Sequence, residues 1–157
     1  MKVLLTGAGG QLGQALIASA PKGLELVVTS RQELDLADPE ACRGAVEQHQ
    51  PDWVLNAGAY TAVDKAESEP ELAHAVNAGA PEAFARALDQ RGGRLLQIST
   101  DFVFNGTQGT PYRPEQAHDP LGVYGASKAA GEAAVQKIFG AGGRGLILRT
   151  SWVIGPV

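Results

Sequence analysis

The chain has 157 residues, 44% of them hydrophobic and 19% charged, with a net charge of −4 and a pI near 5.3. That length fits a single domain with a substantial core, and the acidic balance gives nucleic acid or an anionic membrane no electrostatic attraction. The apolar runs are far too short for a spanning helix, and Met1-Lys2 leads at once into strand-like residues rather than a secretory leader. A single cysteine, Cys42, excludes an internal disulfide framework and suits a reducing cytoplasm. His49, His74 and His118 lie far apart with no metal-ligand spacing, and they read as surface residues.

In chain order, short apolar runs alternate with longer helical patterns, as in a parallel sheet with crossover helices. Lys2 to Thr6 is a first strand, stopped by Gly7, and Gly10 to Ala20 carries Leu12, Leu16 and Ile17 at helical spacing before Pro21. Leu24 to Thr29 is a second strand, and Leu34-Asp35-Leu36 reads as a third, very short one. Asp38-Pro39-Glu40 starts a helix with a capping carboxylate, proline at the first position and an acid in the first turn, and Pro51 bounds it after His49. Asp52 to Asn56 is a buried strand. Glu69 to Asp89 is helical with an interruption at Gly79-Ala80-Pro81. Arg94 to Thr100 is the next strand, followed by a long turn-rich loop from Phe102 to Pro120, a length associated with function or mobility. Tyr124 to Phe139 is an alanine-rich helix and Gly145 to Ser151 a last strand. The sum is an α/β fold, a doubly wound parallel sheet of Rossmann type, which binds ligands at the carboxyl ends of its strands.

Three constellations carry chemistry. The first is TGAGGQLG, Thr6 to Gly13. The G-x-G-x-x-G spacing fails because position 12 is Leu12, whereas G-x-x-G-x-x-G fits through Gly7, Gly10 and Gly13. A strand before and a helix after make this either a pyrophosphate cradle or a plain strand-to-helix turn. The second is YGASK: on a helix Tyr124 and Lys128 share nearly one face, so a phenol and an ammonium can serve one cleft. A nearby cation lowers a phenol's pKa and eases proton transfer to a carbonyl oxygen, and a lysine can also bond a cofactor ribose. Alone, Y-x-x-x-K is more often an incidental pair. The third is ISTDFVF, where Ser99, Thr100 and Asp101 close a strand and enter the long loop, placed either to hold a substrate oxygen or simply to make a turn.

With TGAGGQLG, NAGAYTAVDKAE, STDFVFNG, YGASKAAGE and RTSW in this order, the chain resembles the extended short-chain dehydrogenase/reductase family, in particular its dTDP-4-dehydrorhamnose reductases. The likeness runs along essentially the whole chain, and AYTAVDKAE followed by STDFVF is far more specific than Y-x-x-x-K. It implies reduction of the 4-keto group of dTDP-4-dehydro-6-deoxy-L-mannose by NADPH or NADH. Carried over onto matching positions, Tyr124 is the implied proton donor, Lys128 its ribose-binding partner, and Thr100 the hydroxyl that binds the keto oxygen. Asp101 contacts the substrate sugar. Gly10, Gln11 and Leu12 line the pyrophosphate, Asp35 and Leu36 the adenine, and Ala57, Ala59 and Tyr60 flank the cofactor. Glu132 reads as a structural acid on the helix face.

The second strand ends Thr29-Ser30-Arg31 with no acid at its tip, and Glu33 falls beyond it. An arginine there suits a 2′-phosphate, so NADPH is expected, with NADH use open. The chain departs from the family at Gly58, Phe102 and Ile154, and above all in length, because the family runs to nearly twice this size. The resemblance therefore implies the NAD(P)-binding portion, residues 1–157, without most of the nucleotide-sugar site. Family contacts to Mg2+ and across a homodimer are not assignable here. Two other readings stay open: a non-catalytic NADP-binding protein like the regulatory β subunit of methionine adenosyltransferase, and another nucleotide-sugar reductase or epimerase.

Overall fold

In a computed structural model, which describes residues 1–155, five strands form one parallel sheet in the order β2-β1-β3-β4-β5. They are β1 (Lys2–Thr6), β2 (Glu25–Val28), β3 (Trp53–Asn56), β4 (Arg94–Thr100) and β5 (Gly145–Thr150). The helices are α1 (Gln11–Ala18), α2 (Pro39–His49), α3 (Val63–Ala66), α4 (Pro70–His74), α5 (Ala80–Asp89) and α6 (Val123–Phe139). The chain steps one way from β1 to β2 and the other way from β2 through β3 and β4 to β5. With right-handed crossovers, that reversal places α1 on one face and the later helices on the other. The core follows: Leu4, Val54 and Leu95 from the central strands pack with Val46, Phe84, Leu88 and Val135 of α2, α5 and α6. On β5, Ile147 packs toward this core, while Leu146 and Leu148 alternate outward and are half exposed.

The expected elements recur with shifts of a residue or two, and three differ in kind. Leu34 to Leu36 is not a strand. The Leu34 N–H bonds the Ser30 carbonyl and Asp35 accepts from the Ala37 N–H, so turn hydrogen bonds take the backbone out of reach of β2. Leu34 is nonetheless buried, 5% exposed, because the turn drops it into the core. Second, the break at Gly79-Ala80-Pro81 is a π-helical turn, Ala75–Gly79, that joins α4 to α5 without leaving the helix. The wider turn absorbs the N–H that Pro81 lacks. Third, the stretch after β4 is tied down by its own side chains. Phe104 stacks on Tyr112, Asn105 accepts from Thr107 and Tyr112, and the Asp119 N–H bonds the Val103 carbonyl.

At α2 the sequence signals act as expected: Asp38 accepts from the Glu40 and Ala41 N–H groups, and Pro39 stands in the first turn. Among the described residues no helix is long and apolar enough to cross a membrane.

Candidate cofactor cleft and active site

The reversal of strand order between β1 and β3 opens a crevice at their carboxyl ends. A cleft of about 410 Å3 lies there, walled by the glycine loop, by Ser30 and Arg31 after β2, by Asp35 and Leu36, and by Ala57 to Thr61 after β3. Gly7 turns with φ +71, in the left-handed region, and a Cβ on it would stand 2.5 Å from the Gly58 nitrogen. Gly13 is buried inside α1, where a Cβ would meet the Gly7 carbonyl oxygen at 2.2 Å. Gly10 is the N-cap of α1 and offers no side chain to its first N–H groups. The loop therefore presents backbone donors and the positive end of a helix to the cleft.

Buried side chains hold this wall in register. Thr6 donates to Asn56 (2.6 Å), whose amide donates to Gln97 (2.7 Å), linking the three central strands, and the Gly58 N–H returns to the Thr6 hydroxyl. Asn77, 1% exposed in the π turn, accepts from the Tyr60 N–H and donates to the Tyr60 carbonyl and to the Ser127 hydroxyl. One amide thus fixes the loop after β3 and ties it to α6. The Tyr60 hydroxyl donates to Glu69.

On α6, Tyr124 shares with Val63, Asp101, Phe102 and Leu121 a neighbouring hollow of about 390 Å3. Its ring meets that of Phe102 edge to face, with centroids 5.6 Å apart. Burial pushes its phenol above the ordinary range, the Thr100 hydroxyl pulls it down and the Asp101 carboxylate pushes it up. Lys128 is 3% exposed and donates to the Ile98 carbonyl at 2.7 Å. Burial is thus the largest influence on the Tyr124 phenol, while the Lys128 ammonium is turned to the strand. Thr100 accepts from the Phe102 N–H and donates to Asp101.

Of the residues expected at the cofactor, Gly7, Gly10, Arg31, Asp35, Leu36, Ala57, Ala59 and Tyr60 meet around the cleft. Gln11, Leu12 and Gly13 lie in α1 outside the residues that wall the cleft, and Tyr124 and Lys128 stand on α6, which Asn77 ties to the loop after β3. Glu33 bonds the Ser30 N–H, which lowers its pKa and holds it in the turn. Ser99 does not join Thr100 in the site, since its hydroxyl donates to buried Glu132. His118, expected at the surface, stands 3.0 Å from Glu132 with a side chain 22% exposed. Asn56, Asn77 and Arg149 support the site in roles the sequence does not assign, although Asn56 opens NAGAYTAVDKAE and Arg149 opens RTSW. Their partners are 17 to 50 positions away, a separation that leaves no local signal.

The chain matches, over residues 1–156, the family described as RmlD substrate binding domain. A dTDP-4-dehydrorhamnose reductase from Streptomyces griseus is 45% identical over 153 residues, 97% of this chain and 50% of that protein. Crystal structures described as dTDP-4-dehydrorhamnose reductases from Clostridium acetobutylicum and, in complex with NADP, Bacillus anthracis superpose with a TM-score of 0.92 each. They are 35% and 34% identical, covering 100% and 99% of this chain and 55% of each of those chains. The chain spans about half the length of the curated relatives it matches.

Proposed function

The chain belongs to the RmlD substrate binding domain family, and from that premise we propose that it is the cofactor-holding part of an NADPH-dependent reductase acting on a nucleotide-linked 4-keto sugar, dTDP-4-dehydro-6-deoxy-L-mannose. The observation that carries the reading is the cleft wall. A left-handed Gly7, packed too closely for any side chain, leaves the uncapped start of α1 facing a 410 Å3 crevice that also holds Ser30 and Arg31. The donor chemistry fits a dinucleotide: backbone N–H groups for a pyrophosphate, and for a ribose 2′-phosphate the Arg31 guanidinium and the Ser30 hydroxyl, with the Glu33 carboxylate held back on the Ser30 N–H. The bound NADP of the Bacillus anthracis relative supports the same assignment.

When bound, the reduced nicotinamide supplies the hydride. The chain's own residues do the rest. The Tyr124 phenol carries its proton at neutral pH, as any phenol does, and gives it to the ketone oxygen as carbon is reduced. Thr100 reaches the same oxygen by turning its hydroxyl proton away from Asp101. Lys128, with one proton on the Ile98 carbonyl, has others for a ribose hydroxyl. Asp101 and Phe102, exposed beside Tyr124, line the sugar side.

The test is paired. Fluorescence titration with NADPH and NADH should show tighter NADPH binding, and Arg31→Ala should weaken NADPH about tenfold or more while leaving NADH unchanged. Cofactor oxidation with the keto sugar should vanish in Tyr124→Phe. Binding without Tyr124-dependent oxidation would leave the cofactor assignment and favour the non-catalytic reading for this chain. Failure to bind either cofactor would overturn the proposal.

A further inference from the structure

Lys128 presents an electrostatic problem. It is a buried cation whose ammonium donates to a carbonyl, and among the described residues it forms no ion pair. One helical turn further along α6 sits the Glu132 carboxylate, fully buried at 0% exposure and gripped from three segments. The Ser99 hydroxyl of β4 donates to Oε1; Arg149 of β5 bonds both oxygens, at 2.9 Å from Nε and 2.6 Å from Nη2; and His118 Nε2 from the long loop stands at 3.0 Å. Arg149 also donates to the Pro114 carbonyl and lies over the Phe104 ring. Ser99 adjoins both Ile98, which receives Lys128, and Thr100.

We propose that Glu132 is a positioning residue for Lys128: its clamped carboxylate is the buried counter-charge that keeps the Lys128 side chain an ammonium on the Ile98 carbonyl. The groups that bear on this turn of α6 are Tyr124 and Glu132 on the helix, Asp101 after β4, Arg149 on β5 and His118 from the loop. Burial pushes Lys128 down and Glu132 offsets part of that, which leaves it at about 8. A carboxylate serving only as a tie between α6 and β5 would affect stability and leave the charge of Lys128 alone. The consequence for cofactor binding rests on Lys128 being the ribose partner, whereas its charge does not.

The experiment is an NMR titration of the full chain labelled at lysine Cε, without cofactor, with the Lys128 signal identified by its loss in Lys128→Arg. In Glu132→Gln the Lys128 midpoint should fall by about one pH unit, while Glu132→Asp, which keeps the charge, should stay near the unsubstituted value. An unchanged or raised midpoint in folded Glu132→Gln would overturn the proposal. Should that variant not fold, Glu132→Gln with Arg149→Met removes both charges and leaves neutral side chains of similar shape, which often preserves stability. The midpoint should fall there too, by less than in Glu132→Gln, because the Arg149 cation that opposes Lys128 is removed with it. An unchanged midpoint, or loss of fold in both variants, makes the cluster a folding device and sinks the inference. NADPH titration of the same samples separates the two readings, because loss of cofactor binding with an intact Lys128 shift breaks only the cofactor assignment.

Discussion

The two sides of the candidate site are built from different materials. On the cleft side the shape comes from backbone: Gly7 in the left-handed region, Gly13 pressed on the Gly7 carbonyl, and α1 beginning without a side-chain cap. On the α6 side it comes from buried polar side chains, with Lys128 on the Ile98 carbonyl, Glu132 among Ser99, Arg149 and His118, and Asn77 bonding Tyr60 and Ser127. A backbone cradle tolerates no added atom but carries no charge to lose. A buried polar framework depends in addition on the ionisation of its members, although α6 has close approaches of its own, with a Cβ on Gly125 or Gly131 standing 2.2 Å from the Phe102 or Asn77 carbonyl oxygen. The two sides should therefore fail for different reasons.

The largest effect should come from breaking the backbone side. Gly7→Ala adds a Cβ 2.5 Å from the Gly58 nitrogen and imposes a left-handed conformation on alanine, and Gly13→Ala drives a Cβ to 2.2 Å from a backbone oxygen. Neither obstacle is a side chain that can swing aside. Each variant should lose about 3 kcal/mol or more in urea unfolding, at any pH, with NADPH binding lost together with the fold. A pH-dependent loss would mean that the cradle is held by ionised groups after all.

The α6 side should instead show its character through pH. Lys128 is depressed from an ordinary 10.5 to about 8. Between those values the unfolded chain binds a proton that the folded chain has released, so this group adds stability as pH rises through that window. Below about pH 8 both states are protonated and the full cost of burying the cation is present. Relative to Lys128→Met, the unsubstituted protein should gain on the order of 2 kcal/mol between pH 8 and 10 in urea midpoints. A flat difference would show that the lysine titrates normally and that its burial is relieved by solvent. Tyr124, raised by burial, works in the opposite direction only at higher pH, which is why the comparison stops at 10.

The same division explains what the sequence discloses. Glycine spacing and Tyr124/Lys128 are local patterns, so the cleft wall and the α6 pair are legible in the residue order alone. Strands and helices follow from periodicity, as with the Asp38 cap of α2. Leu34-Asp35-Leu36 misleads because apolar-polar-apolar alternation describes a buried turn as well as a strand, and only the hydrogen bonds of Ser30 and Asp35 distinguish them. The Glu132 cluster has no local signature: it joins a helix, a strand end, an edge strand and a polar loop across 14 to 33 positions. Asn77 lies among alanines in what reads as ordinary helix, and its role appears only when the loop after β3 is brought against it.

The smallest predicted effect is the sharpest test of the backbone side. Gly9 belongs to the same glycine run, yet a Cβ there would meet nothing within 4 Å and its φ is not in the left-handed region. Gly9→Ala should stay within about 0.5 kcal/mol of the unsubstituted protein, its slight loss of unfolded-state freedom favouring the fold if anything. Fold and cofactor affinity then part company. Gly9 lines the cleft, so a methyl pointing into it would weaken NADPH binding with the urea midpoint unchanged, whereas a methyl pointing to solvent would change neither. Only a large stability loss at Gly9 would contradict the distinction, because it would mean that glycine density in this loop, rather than the two close approaches at Gly7 and Gly13, sets the shape of the cradle.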